Sequence, residues 1–178
     1  HQTGQHLFAI VQGGMEKDLR KESAQYLTEL DFPGYAIGGL SVGEPMDILH
    51  DMTAFTTDLL PEEKPRYLMG VGLPENIEYA IHQGIDMFDC VAPTRLARHG
   101  HAFSSQGPII IKKEQYKMDT TPLDPHCTCS TCQHYSKAYL RHLFIAKEQL
   151  CNTLLSIHNI SYLYQQIETI KEKIRKES

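Results

Sequence analysis

The sequence predicts an α/β chain, with repeated strand-helix units of a parallel sheet in its first hundred residues and a mostly helical subdomain after them. Three observations carry this. Short apolar runs alternate with longer segments whose apolar residues fall at helical spacing. Strand starts fall about 20 to 32 residues apart, so the unit is a repeated βα pair with buried strands, which builds a parallel sheet. Beyond residue 100 the alternation gives way to a cysteine-rich loop and long helical periodicity.

Leu7 to Val11 is a continuous apolar run closed by Gln12-Gly13-Gly14, as expected of a strand buried on both faces. Leu19, Tyr26, Leu27 and Leu30 then mark the apolar face of an amphipathic helix that ends near Pro33-Gly34. Tyr35-Ala36-Ile37 is the second strand and leads into Gly38-Gly39-Leu40-Ser41-Val42-Gly43-Glu44. Ile48, Leu49, Met52, Phe55 and Leu59 define the next helix, stopped at Pro61. Tyr67-Leu68-Met69 is the third strand, followed by Gly70-Val71-Gly72. A third helix has Pro74 in its first turn and Gly84 as its C-cap. Met87 to Val91 is the fourth strand, stopped by Pro93.

Two architectures accommodate such repeats, an open doubly wound sheet and a (β/α)₈ barrel. No GxGxxG fingerprint follows any strand, which weakens the dinucleotide-binding sheet. Gln12, Gly39, Met69-Gly70 and Asp89 all fall at the C-terminal ends of their strands, where a barrel collects its functional residues. Four strands in residues 1–100 therefore read as half of a TIM barrel. Residues 101–178 read as a hairpin insertion (His101-Ala102-Phe103 and Pro108 to Ile111), a metal-binding loop and C-terminal helices. Leu154, Leu155, His158, Tyr162, Leu163, Ile167, Ile170 and Ile174 lie along the last helix, whose charged end, Lys171 to Glu177, reads as a solvated surface.

With 178 residues and 41% hydrophobic content, the chain can bury one sizeable core. No apolar run approaches the roughly 18 residues of a membrane span, so a soluble, cytoplasmic protein is expected. The formal charge of -5 argues against general coating of nucleic acid, although a local basic patch can still grip a phosphate backbone. Lys112-Lys113 is such a pair, read first as a solvated turn and second as an RNA backbone contact. The chain opens at His1 without a methionine and close to its first strand, so it is expected to be a piece of something longer.

Cys127, Cys129 and Cys132 offer three thiolates in one short loop flanked by Pro122 and Pro125. That spacing favours a Cys₃His zinc site over a disulfide framework, and so a reducing compartment. His126 and His134 sit too near the cysteines in sequence to wrap comfortably around the same ion. His158, on the apolar stripe of the long helix, and His142 remain open as the fourth ligand. A closed site of four protein ligands leaves no position for water, so the metal would staple the subdomain and do no catalysis.

The stretch Asp86-Met87-Phe88-Asp89-Cys90-Val91-Ala92-Pro93-Thr94-Arg95 places a carboxylate at a strand end, with Arg95 and Arg98 beyond it. It reads either as a catalytic acid with a grip for a phosphate-bearing substrate or as a capping Asp with two solvated Arg.

These segments resemble a known family. FAIVQGG at 8–14, GYAIGGLSVGEP at 34–45, KPRYLMGVG at 64–72, DMFDCVAPTR at 86–95 and CxCx₂C with a later His-Asn are similar, in this order, to bacterial tRNA-guanine transglycosylase, also called queuine tRNA-ribosyltransferase. The resemblance covers essentially the whole chain and implies the C-terminal half of a zinc-bearing TIM barrel. It implies exchange of guanine at the wobble position of tRNA for a 7-deazaguanine precursor of queuosine. By motif, Asp89 matches the nucleophile, Gln12 and Gly39 base-binding residues, and Leu40 and Glu44 the loop that reads the aminomethyl group. Met69, Gly70 and Tyr67 match the pocket and its neighbour, and Arg95 and Arg98 match anticodon-loop contacts. Cys127, Cys129, Cys132 and His158 match the zinc ligands. Ala92 and His99 depart from the pattern at positions without an assigned role. A homodimer is implied for the intact enzyme, while this chain alone is expected to be incomplete and inactive. The competing reading is a non-catalytic, zinc-stapled tRNA-binding or partner subunit.

Overall fold

Four short parallel strands, β1 (Phe8–Val11), β2 (Gly34–Ile37), β3 (Arg66–Leu68) and β4 (Met87–Phe88), lie side by side in sequence order in the computed structural model, which describes residues 4–177. Helices α1 (Lys17–Glu29), α2 (Met46–Thr57) and α3 (Pro74–His82) form the connections between them. The chain divides into two compact units between Cys90 and Val91.

In the first unit, register places Val11, Ile37, Leu68 and Phe88 in one row across the sheet and Ile10, Ala36, Tyr67 and Met87 in the next. The first row is the core side: Val11, Ile37 and Leu68 are buried and cluster with Leu49, Met52 and Ala80 from the helices. The second row differs. Ile10 is 41% and Met87 45% exposed, so burial on both faces holds for β2 but not for β1. The physical reason is position, since β1 and β4 are the edges of the four-stranded sheet among the described residues.

The helix signals behave similarly. Pro74 and Glu75 open α3 and His82 closes it, in accord with the helix dipole, and Gly84 just beyond takes φ +90. Yet α1 buries a different face from the expected one. Leu19, Tyr26 and Leu30 are exposed, whereas Arg20 and Ala24 are buried, with Leu27 partly so. The helical period was legible, but a charged residue at its centre hid which stripe points inward.

The second unit opens with α4 (Ala92–Arg98), a helix where only a stopped strand was expected. Pro93 lies in its first turn, where a missing N–H costs nothing, so the proline belongs to a helix start; β4 has already ended at Phe88, short of the expected strand Met87 to Val91. An antiparallel pair, β5 (His101–Ala102) and β6 (Ile109–Ile110), forms the hairpin. The cysteine segment is not all loop: α5 (Ser130–His134) begins at Cys129, whose sulfur accepts from the Cys132 amide. Ser136 caps α6 (Lys137–Ile145) by accepting from Tyr139 N, and α7 (Gln149–Glu177) follows.

Ile109, Ile111, Leu123, Leu140, Leu154 and Leu155 are among the residues of this unit's core. Asn159 of α7 is fully buried and satisfied. Its Oδ1 accepts from Phe103 N at 2.9 Å and its Nδ2 donates to Pro93 O and His101 O, fastening α7 to α4 and the hairpin. Lys171 to Lys176 are exposed, including Ile174, and the side chain of Glu177 lies outside the described residues. Among the described residues no helix is long and apolar enough to cross a membrane.

Candidate active site and metal centre

The C-terminal ends of parallel strands collect backbone groups that no further strand residue occupies, and here they collect the unusual residues. Gln12, Gly39, Leu40, Met69, Gly70 and Asp89 line one open cavity of about 360 Å³, together with Gly38, Ser41 and Val42. Tyr67 and Glu44 do not line it but brace two of its walls.

Tyr67 hydroxyl donates to Asp89 Oδ1 at 2.6 Å and Gly70 N–H donates to the same oxygen at 2.9 Å. Together they hold the Asp89 carboxyl below its ordinary value, the tyrosine contributing most and burial opposing weakly. The same hydrogen bond pushes the Tyr67 phenol up, so it stays a donor. Oδ2 accepts no hydrogen bond among the described residues, which leaves one carboxylate oxygen pinned and the other without a donor.

Glu44 accepts from Ser41 N, and from Val42 N at 2.9 Å. Burial alone would push its carboxyl up, but its own amide and those of Ser41, Val42 and Gly43 outweigh this and hold it below the ordinary value. The Gly38–Gly43 loop is thereby wound round a fixed negative charge. Gly39 takes φ +68, and a Cβ there would lie 2.8 Å from Gln12 Oε1, so only glycine lets the Gln12 amide lie against this turn.

In the second unit Arg95 and Arg98 are exposed on α4, one helical turn apart and on the same side of it. Lys112 and Lys113 are exposed as well.

Cys127, Cys129, Cys132 and His158 bring their ligand atoms within 4.8 Å of one another. His158 Nδ1 lies 3.7 Å from Cys129 Sγ and 3.3 Å from Cys132 Sγ. Its Nε2 is 2.7 Å from the Phe103 carbonyl, which fixes the tautomer: Nε2–H donates, and the Nδ1 lone pair faces the sulfurs. A tetrahedral zinc with bonds of about 2.0 to 2.3 Å needs ligand separations of about 3.3 to 3.8 Å. Both separations from His158 fall in this range, and the clustering of all four donors is consistent with one zinc site. His126, His134 and His142 are exposed, which settles the choice among histidines that sequence left open. Burial pushes the His158 imidazole down and the Cys132 thiol up to about 12, so ligation would displace thiol protons.

The residue that sequence reasoning missed is Arg20, fully buried on α1 beside the Gly38-Gly39 turn. The usable signal was Arg20, Ala24 and Leu27 at i, i+4 and i+7, obscured by the expectation that arginine faces water.

A family model described as queuine tRNA-ribosyltransferase matches residues 1–178. A queuine tRNA-ribosyltransferase of Caldanaerobacter subterraneus subsp. tengcongensis is 56% identical over 173 residues, 97% of this chain and 46% of the relative. One of Dictyoglomus turgidum is 53% identical over 171 residues, 96% of this chain and 44% of the relative. One of Geobacillus thermodenitrificans is 52% identical over 97% of this chain. The chain thus spans about half the length of the curated relatives it matches.

Proposed function

The chain belongs to the queuine tRNA-ribosyltransferase family, and from that premise we propose that the intact protein is a tRNA-guanine transglycosylase whose nucleophile is Asp89. The observation that carries the proposal is an ionised carboxylate with one oxygen pinned by Tyr67 and Gly70 and the other free, at the edge of a cavity lined by Gln12, Gly39 and Met69.

The chemistry is glycosyl transfer with retention. Asp89 Oδ2 attacks ribose C1′ of the wobble nucleotide, the bond from C1′ to guanine N9 breaks, and its electron pair leaves with the base, which takes up a proton. The incoming 7-deazaguanine gives up a proton, attacks C1′ and releases the carboxylate. Protons balance over the cycle, and no ATP or redox carrier takes part. Gln12, Gly39 and Leu40 bind the base, with Glu44 fixing the loop that reads its aminomethyl substituent. Met69 and Gly70 form its bed, and Arg95 and Arg98 contact the anticodon loop. Zinc, when bound by Cys127, Cys129, Cys132 and His158, supplies a structural cross-link with no open coordination position.

The protein works in the cytoplasm on tRNA, and the intact enzyme is a homodimer. Exposed Ile157, Ile160 and Tyr164 give α7 an apolar strip that supports self-association. The activity is that of the intact protein: the chain spans about half the length of its curated relatives, and β1 and β4 are the sheet edges among the described residues, so the isolated 178 residues are expected to exchange no base. The test is incorporation of labelled guanine into tRNA by the intact protein without ATP. Exchange is the expected result. Tight tRNA binding with no exchange would instead select the non-catalytic, zinc-stapled subunit.

A pH effect follows from the Tyr67 contact. Asp89 must be ionised to attack, and its lowered value keeps it so well into acid. Replacing Tyr67 by Phe removes the largest lowering influence, so the acid limb of single-turnover base exchange will move to higher pH, toward the ordinary carboxylate range. A limb that stays in place would show that Tyr67 does not tune the nucleophile.

A further inference from the structure

Arg20 is 0% exposed, yet its guanidinium is only partly used. Nε donates to Gly14 O at 2.7 Å and Nη2 to Gly38 O at 3.0 Å, while Nη1 is buried without a hydrogen-bond partner. A buried arginine ordinarily satisfies its five N–H groups, and an apolar residue of similar length would fill this space without an orphaned donor. Fold stability is therefore a poor reason for arginine at this position.

The two carbonyls it holds explain it better. Gly14 closes the turn after β1 that carries Gln12, and Gly38 opens the turn after β2 that carries Gly39 and Leu40. Both turns need glycine: Gly14 takes φ +55 and Gly39 φ +68, and a Cβ on Gly13 would lie 2.6 Å from Arg20 N. The second turn is held at both ends, at Gly38 O by Arg20 and at the Ser41 and Val42 amides by Glu44. Burial lowers the Arg20 value and the charge of Glu44 opposes this, so the anion that holds one end of the loop favours the cation that holds the other.

We propose that Arg20 is the positioning residue of the base-binding turns, setting with one planar fork the separation between Gln12 and Gly39-Leu40 that a flat heterocyclic base requires. This rests on reading the cavity as a nucleobase site. Arg20 touches neither the reacting atoms nor Asp89, whose partners are Tyr67 and Gly70.

The test uses the intact protein, with base and tRNA varied separately and the amount of covalent enzyme-tRNA adduct counting competent sites. Arg20→Met and Arg20→Lys are both expected to raise KM for the base about tenfold or more, because misplacing a contact by about 1 Å costs up to about a hundredfold. KM for tRNA and adduct amplitude should stay within about twofold of wild type. Lysine keeps the charge but is a point donor that cannot bridge two carbonyls, so it does not rescue. A merely structural arginine would lower adduct amplitude and kcat together and leave the base KM alone, and that result overturns the assignment. So does failure of both variants to fold, which would make Arg20 a residue of the fold. A wild type that exchanges no base overturns the nucleobase reading and Arg20's role with it. A wild type that exchanges base while both variants keep its base KM overturns Arg20's role alone.

Discussion

Replacing Asp89 by Asn in the intact protein will lower base exchange by about three orders of magnitude or more and abolish the denaturation-resistant adduct with tRNA. The substitution is nearly isosteric. Asparagine can place its carbonyl where Oδ1 now accepts from Tyr67 and Gly70, so the pocket should keep its shape and tRNA should still bind. What is lost is the charged oxygen that would attack C1′, since a neutral amide offers no comparable nucleophile. Gel filtration and tRNA binding at wild-type levels would show that the loss is chemical. An adduct that persists in this variant would remove Asp89 from its role.

The second large effect is expected at the metal. Cys129→Ser retains a side-chain acceptor for the Cys132 amide that starts α5, so the helix cap survives in kind. Serine is a poor zinc ligand, however, and a closed four-ligand site does not tolerate one missing thiolate. Zinc should fall from about one per chain to a small fraction. The second unit should become protease-sensitive as α5 and α7 lose their shared anchor at His158, because structural zinc contributes directly to folding free energy. The parallel sheet of the first unit has its own core and should keep its protection against hydrogen exchange. Full zinc content in the variant would show that Cys129 is not a ligand.

The ends of the first three strands were legible because each apolar run is closed by glycine or a polar residue, and those positions line the cavity; the fourth was read through to Val91, although β4 ends at Phe88 just before Asp89. The cysteine spacing was legible for a similar reason, since three thiols within one short loop have few other uses. Local signals failed where one residue type serves two purposes. Pro93 reads as a strand breaker, but β4 ends at Phe88 and Pro93 lies in the first turn of α4. Arg20 reads as a solvated charge, although its stem is buried and its head is clamped on two carbonyls. Leu19, Tyr26 and Leu30 read as a core stripe, and the sheet instead takes the side of α1 that carries Ala24. The choice among histidines needed three dimensions, because periodicity marks an apolar face without saying which loop folds onto it.

The most direct measurement is peptide mapping of the trapped adduct. Intact protein is mixed with substrate tRNA without incoming base, denatured, digested with nuclease and protease, and sequenced by mass spectrometry. A nucleotide mass attached to Asp89, on the peptide that runs through Cys90 and Pro93, is the predicted result. The same mass on another residue, or no covalent nucleotide under conditions where base exchange proceeds, would contradict the account.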